Sequence, residues 1–131
     1  MGRLTDLRTL FTAVAALEVF YFVATILPPA LLEPATGWVL GPDGHWLAKL
    51  LSVALLSQAG VAWVLRDRPL PRVALVLAFY QCASALVDVA AWLMVDGAFS
   101  TPLARVGVLL AVPSHALLGM LLFVGARRSE R

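Results

Sequence analysis

Four long apolar segments alternate with short polar ones along this chain. They run from about residue 9 to 29, 46 to 65, 73 to 95 and 103 to 125. At a rise of about 1.5 Å per residue, each is long enough to cross the hydrocarbon core of a bilayer as a helix. The pattern therefore predicts an all-α, polytopic membrane protein, a bundle of four transmembrane helices, with residues 1–131 forming a single transmembrane domain.

Proline and glycine separate these segments. Pro28-Pro29 should end the first helix, because neither residue supplies a backbone N–H and residues before proline avoid the α region. Residues 30–45, which include Pro42-Asp43-Gly44, are predicted to form a loop. Residues 66–72 form a basic turn, and Pro102 suits the opening turn of the fourth helix.

The basic residues are distributed unevenly between the two sides of the predicted bundle. Only Lys49 and Arg105 lie near the side where residues 30–45 turn, and we expect their side chains to reach outward to the headgroups. The other eight of the ten lie near the two termini or in the middle turn: Arg3, Arg8, Arg66, Arg68, Arg72, Arg127, Arg128 and Arg131. The positive-inside rule therefore predicts that both termini are cytoplasmic, and we expect a multi-pass protein of the cytoplasmic (inner) membrane.

Composition narrows the class of protein further. The chain is 61% hydrophobic and 14% charged, which excludes an ordinary soluble domain. There is no basic face interleaved with aromatic residues, so no nucleic-acid partner is expected. A cleaved signal peptide is the alternative interpretation of the first segment. Glu18 in the middle of the run and the length of the segment favour a retained membrane helix.

The third segment carries the clearest chemical signal. Asp88 lies within a run that contains no Lys or Arg, and a carboxylate in hydrocarbon is costly, so it should face protein or a wet cavity. Every other predicted helix also has a polar residue near its middle. These residues are Glu18, Gln58 and His115, and the third segment itself carries Gln81 as well. Their similar depth predicts one shared interior site, and hydrogen bonding between helices is the structural alternative.

We assign hypothetical roles within that site by residue chemistry. Glu18 and Asp88 are the candidate catalytic acid/base groups, with His115 as a catalytic partner or proton relay. The candidate ligand-binding residues are Tyr21, Gln58, Gln81 and Trp92. Trp92 shares a helix face with Asp88, although an aromatic anchor at headgroup level is its simpler interpretation. On the fourth helix, Gly107, Ala111, His115 and Gly119 form a stripe expected to allow close helix packing.

Several kinds of site are not indicated by the sequence. Cys82 is the single cysteine, so no intrachain disulfide can form, and no Cys/His spacing fits a metal. No glycine-rich phosphate loop and no workable Ser/His/Asp set occurs. We therefore predict no metal and no cofactor.

Two functional hypotheses remain. In the first, the protein binds a lipophilic small molecule such as a quinone, terpenoid or sterol-like lipid; if it is an enzyme, it is a membrane-embedded acid/base isomerase or cyclase. In the second, the protein is a non-enzymatic accessory subunit or a small proton-coupled transporter. It would then work as an oligomer, either a homodimer or part of a larger membrane complex.

The segment Gly44-His45-Trp46-Leu47-Ala48-Lys49-Leu50-Leu51, at the entry to the second predicted helix, resembles bacterial DoxX-like small membrane proteins. That resemblance implies a four-helix membrane architecture and a link to quinone-reducing sulfur metabolism. The cysteine pairs of some related families are absent here, so thiol chemistry is not implied. A looser likeness to sterol isomerase and sigma-2 type proteins implies membrane carboxylates around a lipophilic ligand.

Overall fold

The computed structural model describes residues 5–130, apart from the side chain of Ala35. In this part of the chain, five helices and no strands occur. The helices are α1 (Leu7–Ile26), α2 (Pro29–Thr36), α3 (Pro42–Leu65), α4 (Pro71–Met94) and α5 (Pro102–Ser129). All except α2 are long and apolar enough to cross a membrane. The predicted all-α bundle with four membrane-spanning helices is thereby confirmed.

The main difference from the sequence prediction lies between α1 and α3. Residues 30–45 were expected to form a loop, but most of α2 falls within them and α3 already starts at Pro42. Proline at the first turn of a helix is favourable, because the N–H that it lacks would have no partner there. Pro42-Asp43-Gly44 therefore opens a helix instead of forming a turn. The other predicted helix limits differ by between zero and four residues.

Capping side chains set the starts of α1 and α5. The Asp6 carboxylate accepts hydrogen bonds from the backbone N–H of Thr9 at 3.2 Å and from its hydroxyl at 2.9 Å. These bonds lower the pKa of the Asp6 carboxyl group. Thr101 plays the same role for α5, since its hydroxyl accepts from the N–H of Ala104 at 3.2 Å. Both residues are preferred helix N-caps.

The four long helices pack as two pairs. α1 lies along α3, and α4 lies along α5. The pairs meet mainly through α1, which contacts both α5 and α4. Within residues 5–130, α3 and α4 have almost no close backbone contacts with each other. The bundle is therefore tightly packed within each pair and loosely packed between α3 and α4.

The apolar core occupies the half of the bundle nearest the two chain ends. It is built from the first half of α1, the start of α4 and the ends of α3 and α5. Its buried members are Leu7, Leu10, Phe11, Val14, Ala15, Ala62, Ala74, Leu77, Ala78, Leu122 and Ala126. We call this end of the bundle the terminal side and the opposite end the hairpin side.

Polar contacts join the chain segments on the terminal side. Arg8 forms an ion pair with Asp67 in the turn between α3 and α4, with an N–O distance of 3.0 Å. Arg128 at the end of α5 donates a hydrogen bond to the Thr5 hydroxyl at 2.9 Å. Both contacts are solvent-exposed, so they contribute little stability individually. They show that the region before α1, the middle turn and the end of α5 lie together.

On the hairpin side, Lys49 does not extend to the headgroups as expected. Its ammonium group donates to the carbonyl oxygens of Thr25 at 3.2 Å, Ile26 at 2.7 Å and Leu27 at 2.8 Å. The last carbonyls of a helix lack partners within that helix, and a cation also interacts favourably with its C-terminal dipole. Lys49 of α3 therefore caps the end of α1 and fixes one pair of helices at this end.

Candidate functional site

Three buried polar side chains from three helices form a hydrogen-bonded chain in the middle of the bundle. The side-chain amide of Gln81 on α4 donates from Nε2 to Oε1 of Glu18 on α1, at 2.6 Å. On its other side, Oε1 of Gln81 meets Nδ1 of His115 on α5. Glu18 and Gln81 are fully buried, and His115 is 5% exposed. We call these three residues the central cluster.

The depth of the central cluster follows from its position along the helices. Each of its three members lies more than about 10 Å from either end of its own helix at the standard helical rise. The adjoining turns of the three helices are apolar and belong partly to the core. The cluster is therefore located at the level of the hydrocarbon core and not at a membrane surface.

The direction of the hydrogen bonds indicates which nitrogen of the His115 ring carries the proton. Gln81 uses its NH₂ group toward Glu18, so its carbonyl oxygen is the acceptor that faces His115. The proton on His115 is accordingly assigned to Nδ1. The Tyr21 ring stacks on a face of the His115 imidazole, with ring centroids 5.1 Å apart and ring planes inclined by 20°. The imidazole is thus held by one hydrogen bond and one aromatic contact.

Glu18 retains one unused acceptor. Its Oε2 atom is buried and has no hydrogen-bond partner among the described residues. Burying a carboxylate oxygen without a partner is costly, because the group loses its contacts with water and gains nothing in return. Glu18 is therefore the member of the central cluster that is best placed to take up a proton or to accept a hydrogen bond from a bound molecule.

A second group of polar side chains lies on α4 and α3, the two long helices that barely contact each other. Tyr80, Ser84 and Asp88 follow one another at four-residue spacing along α4, and Gln58 on α3 neighbours the Tyr80 hydroxyl. All four side chains are only partly buried. We call these four residues the α3–α4 seam. Partial exposure of polar side chains is ordinary in a soluble protein, but these side chains lie within helices long and apolar enough to span a membrane.

Two tyrosines lie near both acids. Tyr21 and Tyr80 each interact electrostatically with both Glu18 and Asp88. Both carboxyl groups are therefore within electrostatic range of the same two tyrosines. Asp88 has no hydrogen-bond partner within residues 5–130, whereas Glu18 is held through Gln81. The geometry can hold a proton on either acid or on His115, which is the requirement for acid/base work.

The predicted site residues do not all come together. Glu18, Gln81, His115 and Tyr21 are in direct contact, while Gln58 and Asp88 lie in the adjoining seam. Trp92 is 42% exposed, and its ring contact is with Phe99 at 5.9 Å, beside Trp38. Trp92 thus belongs to an aromatic cluster on the hairpin side.

The small-residue stripe predicted on the fourth helix is wrong at its first member, Gly107. Gly107 is exposed, and a Cβ atom at that position would meet nothing within 4 Å. The inward face of α5 carries Ala104 and Val108 before it reaches His115 and Gly119. A four-residue series drifts around a helix by about 40° per step, so its first member has turned away from the bundle.

Two cavities of the structure lie away from the central cluster. One cavity, of about 560 Å³, lies between α4 and α5, and the other, of about 30 Å³, lies on the hairpin side. Neither cavity is lined by Glu18, Asp88 or His115. A pocket shared by Glu18, Asp88 and His115 therefore stays a prediction. Glu18 and His115 meet through Gln81 in a packed interior, and Asp88 lies at a partly exposed boundary.

Tyr80 is the residue of this region that sequence reasoning missed. It is half-buried beside Gln58, and both Glu18 and Asp88 act on it. The signal in the sequence was partial, because Tyr80 precedes Asp88 by eight residues, which offsets the two side chains by about 80° around the helix. A tyrosine in an apolar segment is nevertheless common at membrane interfaces, and its depth becomes clear only once the start of α4 is fixed.

The interpretation of this site rests on its own geometry. The likeness to DoxX-like proteins stays a prediction that comes from the sequence. Compared with protein-family models, with curated proteins and with solved structures, the chain has no match.

Proposed function

We propose that this membrane protein binds a lipophilic small molecule at the α3–α4 seam. The molecule would be a quinone, a terpenoid or a sterol-like lipid with at least one polar oxygen. Glu18, Asp88 and His115 would exchange protons with the bound molecule, directly or through the central cluster. The partly exposed Asp88 carboxyl group carries this proposal.

Asp88 supports the proposal because of what surrounds it. It lies on α4 within a membrane-spanning segment, is only partly buried and has no hydrogen-bond partner in the described part of the chain. An ionisable group in that position is costly unless a partner is supplied. A hydroxyl or carbonyl group on a lipid-soluble molecule provides such a partner, and its apolar body fits the surrounding hydrocarbon.

The other residues then have distinct tasks. Gln58 and Tyr80 can orient a polar atom of the molecule, because both lie in the seam beside Asp88. Tyr21 adjoins both His115 and the two acids, so it links the seam to the central cluster. If the protein is an enzyme, the chemistry that this arrangement favours is isomerisation or cyclisation, in which one group delivers a proton and another removes one.

The experiment is recovery of the bound molecule from protein purified in mild detergent. Native mass spectrometry should show a stoichiometric small molecule on the unaltered protein. Asp88→Asn and Glu18→Gln are near-isosteric and remove only the ionisable group; we expect each to lower occupancy at least tenfold. Ser57→Ala is the matched control, because Ser57 is exposed on α3 and bonds only the Val53 carbonyl of its own helix.

Loss of the molecule from the Asp88 and Glu18 variants, with retention in the Ser57 variant, supports the proposal. Retention in all three variants would show that the acids do not hold it. An empty protein that remains empty when quinone, terpenoid and sterol probes are added would count equally against the proposal.

A second candidate function is supported by the direct hydrogen bonds that join three helices in the central cluster. A non-enzymatic accessory subunit, or a small proton-coupled transporter acting as an oligomer, would use the same polar residues without needing a cavity. In that case another protein surface, such as a second copy of the chain, covers the seam. A homodimer or larger complex that persists in detergent and dissociates on Asp88→Leu would favour this candidate.

The cellular setting is part of the same proposal. We place the protein in a bacterial cytoplasmic membrane, with the terminal side in the cytoplasm. Within residues 5–130 the terminal side carries Arg8, Arg66, Arg68, Arg72, Arg127 and Arg128, whereas Lys49 and Arg105 lie toward the hairpin side. This imbalance supports the orientation through the positive-inside rule.

A further inference from the structure

An apolar groove of about 560 Å³ lies between α4 and α5, on the face away from the central cluster. Phe79 on α4 and Met120 and Phe123 on α5 form its rim and are 76%, 63% and 49% exposed. The floor is at Cys82 and Gly119, where the two helices come closest. A volume of this size falls in the range of small-molecule sites, about 300–1,000 Å³.

The groove extends over only one half of the membrane. On α5 it runs from Gly119 to Arg127, which is a rise of about 12 Å, and on α4 from Leu75 to Cys82, about 10 Å. One leaflet of the hydrocarbon core is about 15 Å deep. The groove therefore starts at the terminal side and ends near the middle of the bilayer.

Positive charge marks the terminal-side end of the groove. Arg127 is one of its lining residues, and Arg72 lies one turn before Leu75 on α4, on the same face as Phe79. Arg72 has no ion-pair partner among residues 5–130, and Arg127 approaches Glu130 only at 3.6 Å on an exposed surface. An exposed pair of that kind is weak, so an anion can compete for Arg127.

We propose that this groove binds one anionic phospholipid from the leaflet on the terminal side. The acyl chain lies along Phe79 and Met120 toward Gly119, and the phosphate contacts Arg127 and Arg72. Basic pockets between transmembrane helices bind anionic headgroups in this way. A helix of a partner protein crosses both leaflets and would need a groove along the whole length of α4 and α5, so the half-length favours a lipid.

The test is a titration of the purified protein with phosphatidylglycerol, and with phosphatidylcholine as the zwitterionic reference, followed by native mass spectrometry. We expect one phosphatidylglycerol to bind more tightly than phosphatidylcholine. Arg72→Gln and Arg127→Gln should each weaken phosphatidylglycerol binding by about fivefold, because one basic side chain near the headgroups typically changes the affinity for an anionic lipid by about that factor. Arg68→Gln removes a charge on the same side but outside the groove, and should leave binding unchanged.

A second pair of variants tests the groove itself while keeping both arginines. Val124 lines the groove, so Val124→Trp should fill it and lower phosphatidylglycerol binding. Leu117→Trp adds the same side chain at an exposed position outside the groove and should not. Equal phosphatidylglycerol binding by the Arg127→Gln variant, the Arg68→Gln variant and the unaltered protein would overturn the proposal. A stable dimer that Val124→Trp dissociates would also overturn it, because the occupant would then be a second copy.

Discussion

Gln81 decides how the central cluster is organised at the scale of single residues. A side-chain amide can donate to a carboxylate from its nitrogen and accept from an imidazole at its oxygen. With Nε2 toward Glu18 and Oε1 toward His115, it satisfies two buried groups on two other helices. Gln81 thereby ties α1, α4 and α5 together at one depth, whatever chemistry the acids perform.

Gln81→Leu should therefore destabilise the bundle. It leaves Oε1 of Glu18 and Nδ1 of His115 without partners, and each unpaired buried group costs about 1–3 kcal/mol in soluble proteins, less for many interhelical bonds in membranes. We expect a loss of about 1–3 kcal/mol in total, measured as the free energy of unfolding in mixed micelles with increasing dodecyl sulfate.

Ser114→Ala is the control for this measurement. Ser114 adjoins His115 in the chain, is exposed and bonds only the Ala111 carbonyl of its own helix. A Gln81→Leu protein as stable as the Ser114→Ala protein would contradict the role assigned to the amide.

The polar residues of the site were largely predictable from the sequence, but their bonding was not. A polar group in an apolar helix of about 20 residues is unusual enough to single out Glu18, Gln81 and His115. Their depth and face follow from helical rise and period. Which oxygen pairs with which nitrogen depends on shifts of about 1 Å and on the rotation between helices, and apolar periodicity does not encode either.

At the scale of elements, the contact of α4 with α5 depends on Gly119. A Cβ atom built there would lie 2.5 Å from Sγ of Cys82 and 3.0 Å from the carbonyl oxygen of Ala78. The second neighbour is backbone and cannot rotate away. Membrane helices commonly approach closely through such small residues, because the backbones then gain van der Waals contact.

Gly119→Ala should force α4 and α5 apart at this level. We expect a destabilisation of about 1–3 kcal/mol, as for other overpacked interiors, in the same unfolding measurement. Gly107→Ala is the matched control, because the same methyl group there meets nothing within 4 Å and should change stability by less than about 0.5 kcal/mol. Equal stabilities of the two variants would argue against a close approach at Gly119.

The short helix α2 shows where element prediction failed. Pro28-Pro29 and Pro34 in one stretch predict irregular structure, and eight residues are too few to show a helical period. In the structure, Pro29 occupies the favourable first turn, and Gly37 ends the helix with φ +72°, in the left-handed region that favours glycine. Tertiary packing against α5 adds support that local propensity does not reveal.

At the scale of the whole molecule, the predicted orientation is open to a direct test. In a Cys82→Ala background, single cysteines are placed by Asp96→Cys on the hairpin side and by Ser129→Cys at the end of α5; both positions are exposed. A membrane-impermeant maleimide applied to intact cells should label the first cysteine and spare the second, because the arginine-rich side stays in the cytoplasm. Labelling of position 129 alone would reverse the assignment.

The number and order of the long helices were predictable because each is a continuous apolar run between clear breaks. The pairing of α1 with α3 and of α4 with α5 was not predictable from connection length, because the shortest connection, residues 66–70, joins α3 to α4, which barely contact each other. The weak contact between α3 and α4 was not predictable, since every helix has a similar apolar surface. It is a property of how the two pairs rotate against each other around α1.

If a lipophilic molecule binds at the seam as proposed, this loosely packed boundary sets its route to Asp88. The seam runs along the sides of two membrane helices, so the molecule would arrive from the hydrocarbon interior of the bilayer and not from the surrounding water. The molecule would be concentrated in the membrane, to an extent set by its partition coefficient, before it contacts any side chain. A modest intrinsic affinity of the seam for the molecule would then be sufficient for high occupancy. Water-soluble metabolites would not bind, because they do not partition into the bilayer.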